Sequence, residues 1–204
     1  MIHKCNDSSI SQAAELLRNG RVVAIPTDTL YGLSANAFDA EAIEKIYDIK
    51  HRPHTKPMIV LVSSINDIND LAHYDERLEK LAKAFWPGPL TVLLNRIKDE
   101  HKLDKACLGL PACTFRVPNC EIDIKIIKQL GSPIVSTTAN ISGEPNPMNA
   151  QEIHAQLGDS VEFILDNGPS PETTSSTIVD LTSHNWKILR PGVISEQKIK
   201  KILD

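Results

Sequence analysis

No apolar run in this sequence comes near the roughly 20 residues that a membrane-spanning helix needs. The first ten residues, MIHKCNDSSI, hold no apolar stretch of the kind that directs secretion. Together these absences predict a cytoplasmic protein with no membrane partner. Cysteine is scarce: Cys5, Cys107, Cys113 and Cys120 show neither a C-x-x-C spacing nor histidine partners at zinc-ligand intervals. Reduced thiols and no protein-built metal site are the expectation. Aromatic residues make up 4% and the net charge is −4, which disfavours a general nucleic-acid binder relying on a basic surface and stacking rings. Also missing are the phosphate loop G-x-x-x-x-G-K-[ST], the fingerprint G-x-G-x-x-G and the nucleophile elbow G-x-S-x-G. Any anion site must therefore be a local concentration of charge.

One such concentration exists. Lys50-His51-Arg52-Pro53-His54-Thr55-Lys56-Pro57 packs three fixed cations into seven residues, between a helical pattern and an apolar run. Taken alone it is equally what a solvated helix end looks like, since cations complement a helix C-terminus. His51 and His54 read as exposed loop residues, because no carboxylate or cysteine sits at a ligand interval.

A chain of 204 residues, 41% hydrophobic and 24% charged, suits one globular domain. Ser8 or Ser9 can cap a first helix that Gly20 ends, and Asp39 caps a second with Ala42, Ile43, Ile46 and Tyr47 on one face. Further helices are expected over 65–72, 75–85, 121–130 (closed by Gly131), 149–157 and after Ser195. Buried strands are expected over 21–25, 58–62, 90–94, 113–117, 133–135, 161–165, 176–181 and 186–189. Residues 26–33 read as a polar turn, Trp86-Pro87-Gly88-Pro89 as a rigid break, and 96–112 as a charged, irregular excursion. Helices and strands intermix, so the class is α/β: a single domain over 1–204, core about 9–195. It should be a twisted, mostly mixed open sheet with flanking helices and a cationic concave cleft.

Ligand sites in open α/β sheets gather beyond the carboxyl ends of strands. Thr27 and Ser136 follow apolar strands at that end, and Arg190 follows the run Trp186 to Leu189. Arginine suits bidentate recognition of carboxylate or phosphate, and lysine acts as a compact point charge. Each also has a plain reading: Ser136, Thr138 and Asn140 as turn chemistry, Arg190 as a surface cation, Arg116 as a snorkelling edge residue. No covalent nucleophile is evident. The set resembles a site that aligns two anions and offsets their repulsion.

Eight pieces in order resemble the YrdC-like family: Pro26-Thr27-Asp28-Thr29-Leu30-Tyr31-Gly32-Leu33, Lys50-His51-Arg52-Pro53, Lys56-Pro57, Trp86-Pro87-Gly88-Pro89-Leu90-Thr91, Arg116-Val117-Pro118, Ser136 to Gly143, Ser176 to Asp180 and Arg190-Pro191-Gly192. The resemblance implies the short form without an extra C-terminal domain. It implies synthesis of L-threonylcarbamoyladenylate and pyrophosphate from L-threonine, bicarbonate and ATP, for the t6A modification of tRNA. Lys50 and Arg52 would be catalytic. ATP would be held by Lys50, Arg52, Lys56, Ser136, Thr138, Asn140 and Arg190, and threonine by Thr27, Arg116 and Ser176. Mg²⁺ would arrive with ATP rather than in a protein cage. Proteins that transfer the t6A group, and tRNA or double-stranded RNA, would be partners. The rival expectation is an RNA-binding module of the same fold acting in tRNA or rRNA maturation.

Overall fold

A short edge strand, β1 (Ile2–Lys4), leads into helix α1 (Asp7–Arg18), then β2 (Val23–Ile25) and β3 (Gly32–Asn36). Helix α2 (Ala40–Lys50), β4 (Ile59–Leu61), α3 (Glu76–Phe85), β5 (Leu90–Asn95) and β6 (Ala112–Arg116) follow. The chain continues through α4 (Glu121–Leu130), β7 (Ile134–Thr138), α5 (Ala150–Leu157), β8 (Phe163–Asp166), β9 (Thr177–Asp180), β10 (Lys187–Arg190) and α6 (Glu196–Leu203). The computed structural model describes residues 1–97 and 101–204. Among the described residues, ten strands join one mixed sheet, ordered β1-β8-β2-β3-β7-β4-β6-β5-β9-β10. The pairs β1/β8, β2/β8, β4/β6 and β5/β9 are parallel, and the rest are antiparallel.

Both faces of this sheet are covered, as side-chain alternation along the central strands requires. On β2, Val23 and Ile25 pack with Ala13 and Leu17 of α1 and Ile126 and Leu130 of α4, whereas Ala24 joins the larger core on the opposite face. Ile134 and Val135 of β7 divide in the same way. Helix α2 starts where the Asp39 carboxylate accepts from the backbone N–H groups of Glu41 and Ala42, each at 3.0 Å. It ends at His51, whose left-handed φ of 49° stops the helix. Helix α4 stops likewise at Gly131, φ 80°.

Several expectations are corrected. Asn6, rather than Ser8 or Ser9, caps α1. The span 65–72 holds a single 3₁₀ turn, Ile65–Ile68. The region read as a turn, 26–33, contains the start of β3, and β1 was not foreseen. Ser136 lies within β7 and Arg190 is the last residue of β10, so neither follows its strand. Within the excursion 96–112, residues 98–100 lie outside the described residues.

The expectation of four reduced thiols is also overturned: Cys107 and Cys113 form a disulfide, with Cα atoms 5.4 Å apart, and Cys5 and Cys120 are free. The chain reverses between them at Leu108 and Gly109, both with positive φ (56° and 68°), a bend invisible to cysteine spacing rules. Alkylation without reductant is therefore expected to modify two cysteines and, after reduction, four. Reduction should cost about 2 kcal/mol, the loop-closure value for so short a ring. Four alkylated cysteines in the unreduced protein would refute the bond.

Candidate active site

A cleft of about 710 Å³ opens between the loop after β2, the segment after α2, and the ends of β6, β7, β9 and β10. Of the ten residues singled out from the sequence, eight line it: Thr27, Arg52, Lys56, Arg116, Ser136, Thr138, Ser176 and Arg190. Lys50 and Asn140 lie behind its wall.

Lys50 is 1% exposed because helical spacing puts it on the stripe of Ile43, Ile46 and Tyr47, the buried face of α2. Its ammonium donates to the Thr138 and Asn140 carbonyls and, at 3.1 Å, to Asn140 Oδ1. Ser142 N–H donates back to the Lys50 carbonyl at 2.9 Å. Lys50 thus ties the end of α2 to the loop after β7. Burial first, and Arg52 next, pull its pKa down to about 7. At the junction, Thr138, the last residue of β7, donates to Asn140 Oδ1, and the Asn140 amide nitrogen donates to Glu144 O at 2.7 Å.

Arg52 spans its own loop, donating to Lys56 O at 3.1 Å and Pro57 O at 2.9 Å. Two intraloop bonds fix the guanidinium at the cleft wall, while Lys56 stays exposed. Arg190 is fixed by Ser176, donating to its carbonyl at 2.8 and 3.2 Å and to its hydroxyl at 3.1 Å. Thr91 holds that hydroxyl at 2.8 Å, and Ser34 donates to Ser136 Oγ at 3.1 Å. Burial, then Arg116, then Arg52 lower the Arg190 pKa; crowded guanidiniums favour an incoming anion.

Arg116 is held on three sides. Nε donates to Gly88 O at 3.0 Å, which gives the break at 86–89 a role in the site, and one Nη donates to Thr29 Oγ1 at 3.2 Å. The other Nη pairs with the Asp28 carboxylate. Asp28 and Thr29 were not picked out from the sequence, although a buried arginine signals that a counter-charge must lie nearby. Thr55, Asn146 and Ser175 also line the cleft and carried no sequence signal beyond polarity.

The cleft can align anions; its one cysteine, Cys113, is tied up in the disulfide. Among the described residues, no group of three or more His, Cys, Asp or Glu side chains is placed to hold a metal ion, and no helix is long and apolar enough to cross a membrane.

Comparison with known proteins gives this geometry a context. The family model described as "Telomere recombination" (Sua5/YciO/YrdC) matches residues 15–192. Threonylcarbamoyl-AMP synthase of Bacillus subtilis is 37% identical over 199 residues, covering 97% of this chain and 57% of that protein. A putative threonylcarbamoyl-AMP synthase of Mycobacterium tuberculosis is 35% identical over 202 residues, covering 95% and 88%. The solved structure of Pyrococcus abyssi Sua5 complexed with L-threonine superimposes with a TM-score of 0.94 at 36% identity, covering all of this chain and 61% of that one. The chain thus spans little more than half the length of the Bacillus relative, although the match covers 97% of the chain itself. With the fold, the ordered motifs and the family model all coinciding over 15–192, this chain belongs to the Sua5/YciO/YrdC family.

Proposed function

We propose that the cleft is the active site of a nucleotidyltransferase that forms L-threonylcarbamoyladenylate and pyrophosphate from L-threonine, bicarbonate and ATP, for the t6A modification of tRNA. The observation carrying this reading is the convergence of Arg52, Arg116 and Arg190 with the hydroxyls of Thr27, Ser136, Thr138 and Ser176 in one cleft. The Pyrococcus relative crystallised with L-threonine supports the choice of amino acid.

The chemistry joins two anions. Threonine's amine adds to the carbon of bicarbonate, releasing water and giving a carbamate. A carbamate oxygen then attacks the α-phosphorus of ATP, and pyrophosphate leaves. At close range the carbamate and triphosphate repel, and fixed guanidiniums offset that repulsion without reorganising during the step. Arg52, Lys56 and Arg190 serve the triphosphate, with Ser136, Thr138 and the Asn140 loop beside it. Thr27, Ser176 and Arg116 serve threonine, Arg116 facing its carboxylate. Lys50 acts through the loop it clamps. Mg²⁺ enters on ATP as part of the substrate. The product would pass to t6A-transfer proteins, and the cytoplasm is the proposed setting.

The test is pyrophosphate release from ATP. It should require both L-threonine and bicarbonate and yield a threonine-containing adenylate by mass spectrometry. Release that is indifferent to either co-substrate overturns the reading.

A further inference from the structure

A guanidinium buried in a strand needs a counter-charge, and a guanidinium that must meet a carboxylate also needs a fixed direction. We propose that Asp28 is a positioning residue for the amino-acid subsite: it locks the Arg116 fork so that the N–H groups left over face the substrate carboxylate. This rests on the function proposed above, in which the cleft takes L-threonine.

The contacts support a lock rather than a passing pair. Each of the three nitrogens of Arg116 has a protein acceptor: Gly88 O, Thr29 Oγ1 and Asp28 Oδ1. Of the five N–H groups that arginine carries, these use three, and no other partner occurs among the described residues. The side chains of Arg116 and Asp28 are only 5% and 9% exposed, so water competes weakly for the pair. Asp28 and Thr29 belong to one loop, and Thr29 is held in turn by Thr27, whose hydroxyl accepts from the Thr29 backbone N–H at 3.1 Å. One short segment therefore grips Arg116 from two directions while presenting Thr27 to the same ligand.

Asp28 does this from behind. Arg116, Thr27 and Thr29 line the catalytic cleft. Asp28 is absent from the cleft lining and instead lines an adjoining cavity of about 660 Å³, which shares Thr27 and Tyr31 with the cleft and is also bordered by Cys120 and Lys125. Close to the pair lies Asp123, fully buried beside the Cys120 thiol, its carboxyl oxygens without a hydrogen bond of ordinary geometry among the described residues. Burial first, and the Asp28 charge next, push its carboxyl pKa well above the ordinary range. The Asp28 charge tempers the mutual repulsion of Arg116, Arg52 and Arg190 without filling the cleft.

The experiment compares Asp28→Ala and Asp28→Asn in the full chain by steady-state pyrophosphate release, alongside ¹⁵N spectra of the arginine Nε–H groups. For Asp28→Ala the KM for L-threonine should rise about 10- to 100-fold, the range expected when an orienting residue is removed, with the KM for ATP unchanged within about threefold. Asp28→Asn keeps an acceptor at Oδ1 and should fall between wild type and alanine. The Arg116 Nε–H signal, sharp and slow to exchange in wild type, should broaden or vanish in Asp28→Ala with no substrate present. A threonine KM unmoved, both KM values raised together, or an unchanged Arg116 signal overturns the proposal. Should alanine fail to fold, the asparagine variant decides by the same split. The spectral arm needs no turnover, so it stands even if the wild type proves not to use threonine.

Discussion

Lys50→Met is expected to lower Tm by about 6–12 °C, read by calorimetry. Methionine fills most of the volume but leaves the Thr138 and Asn140 carbonyls without their buried donor. An orphaned buried acceptor costs about 1–3 kcal/mol, so two cost about 3 kcal/mol once relief of the buried charge is counted. For a chain of this length, 1 kcal/mol moves Tm by roughly 2–4 °C. Pyrophosphate release should fall as well, because the end of β7 and the loop carrying Asn140 lose their tether to α2. A Tm within about 2 °C of wild type would mean the ammonium is not a clamp.

The same residue sets a pH signature. Lys50 titrates near 7 in the folded protein, against about 10.4 when unfolded. Between those values the unfolded chain binds the extra proton, so this group makes stability rise with pH above about 7. Cys120 acts oppositely. Burial first pushes its thiol up to about 12, against about 8.5 unfolded, so stability drains away above about 8.5. Together these two groups make wild-type stability rise from about pH 7, level off between about 8.5 and 10.4 where the two effects offset, and fall above that. Lys50→Met should lose the rising limb, so that its stability falls from about pH 8.5 upward. A rising limb of the same height in the variant would assign it to other groups.

Gly192→Ala is expected to be nearly as damaging, although Gly192 has no side chain to lose. A methyl group there would sit 2.4 Å from Ser175 O and 2.5 Å from both Ser176 C and Thr177 N. All three are backbone atoms, so relief requires β9 and the segment after β10 to part. Overpacking of this kind costs about 1–3 kcal/mol. The displacement would also break the bonds from Arg190 to Ser176, and turnover should fall more than about tenfold, since sub-ångström placement matters in such a site. The variant is worth solving crystallographically: an unmoved Arg190 with full activity would sink the prediction.

Much of this architecture was legible because local chemistry agreed with the global fold. Asp39 with the Ala42, Ile43, Ile46, Tyr47 stripe gave α2, and Gly131 marked the end of α4. β3 was hidden because Gly-Leu-Ser-Ala-Asn is short, opens on glycine, and has no β-branched or aromatic residue. Its small side chains suit a strand between β2 and β7, where a Cβ on Gly32 would lie 2.2 Å from Ser136 Oγ. The site was legible as a set of residue types, while its division of labour was not. Lys50 falls on the apolar stripe of α2, a signal present in the sequence and outweighed there by the neighbouring Arg52 and Lys56. The Asp28 partnership with Arg116 joins residues 88 positions apart, and no periodicity reports such a contact.

Distance along the chain has a kinetic consequence. Thr91 and Ser176, which steady one wall of the cleft, are 85 residues apart, and β5 reaches β9 only through that parallel pairing. Loops of this size close late, and parallel pairings between remote strands are intrinsically slow to form. Helix α2 with its neighbours β2 and β3 can assemble early from local contacts; the seat of Arg190 must wait for the last third of the chain. During refolding, protection of amide hydrogens at Thr177 to Val179 should lag behind that in α2. The cleft would then be the final part of the molecule to exist.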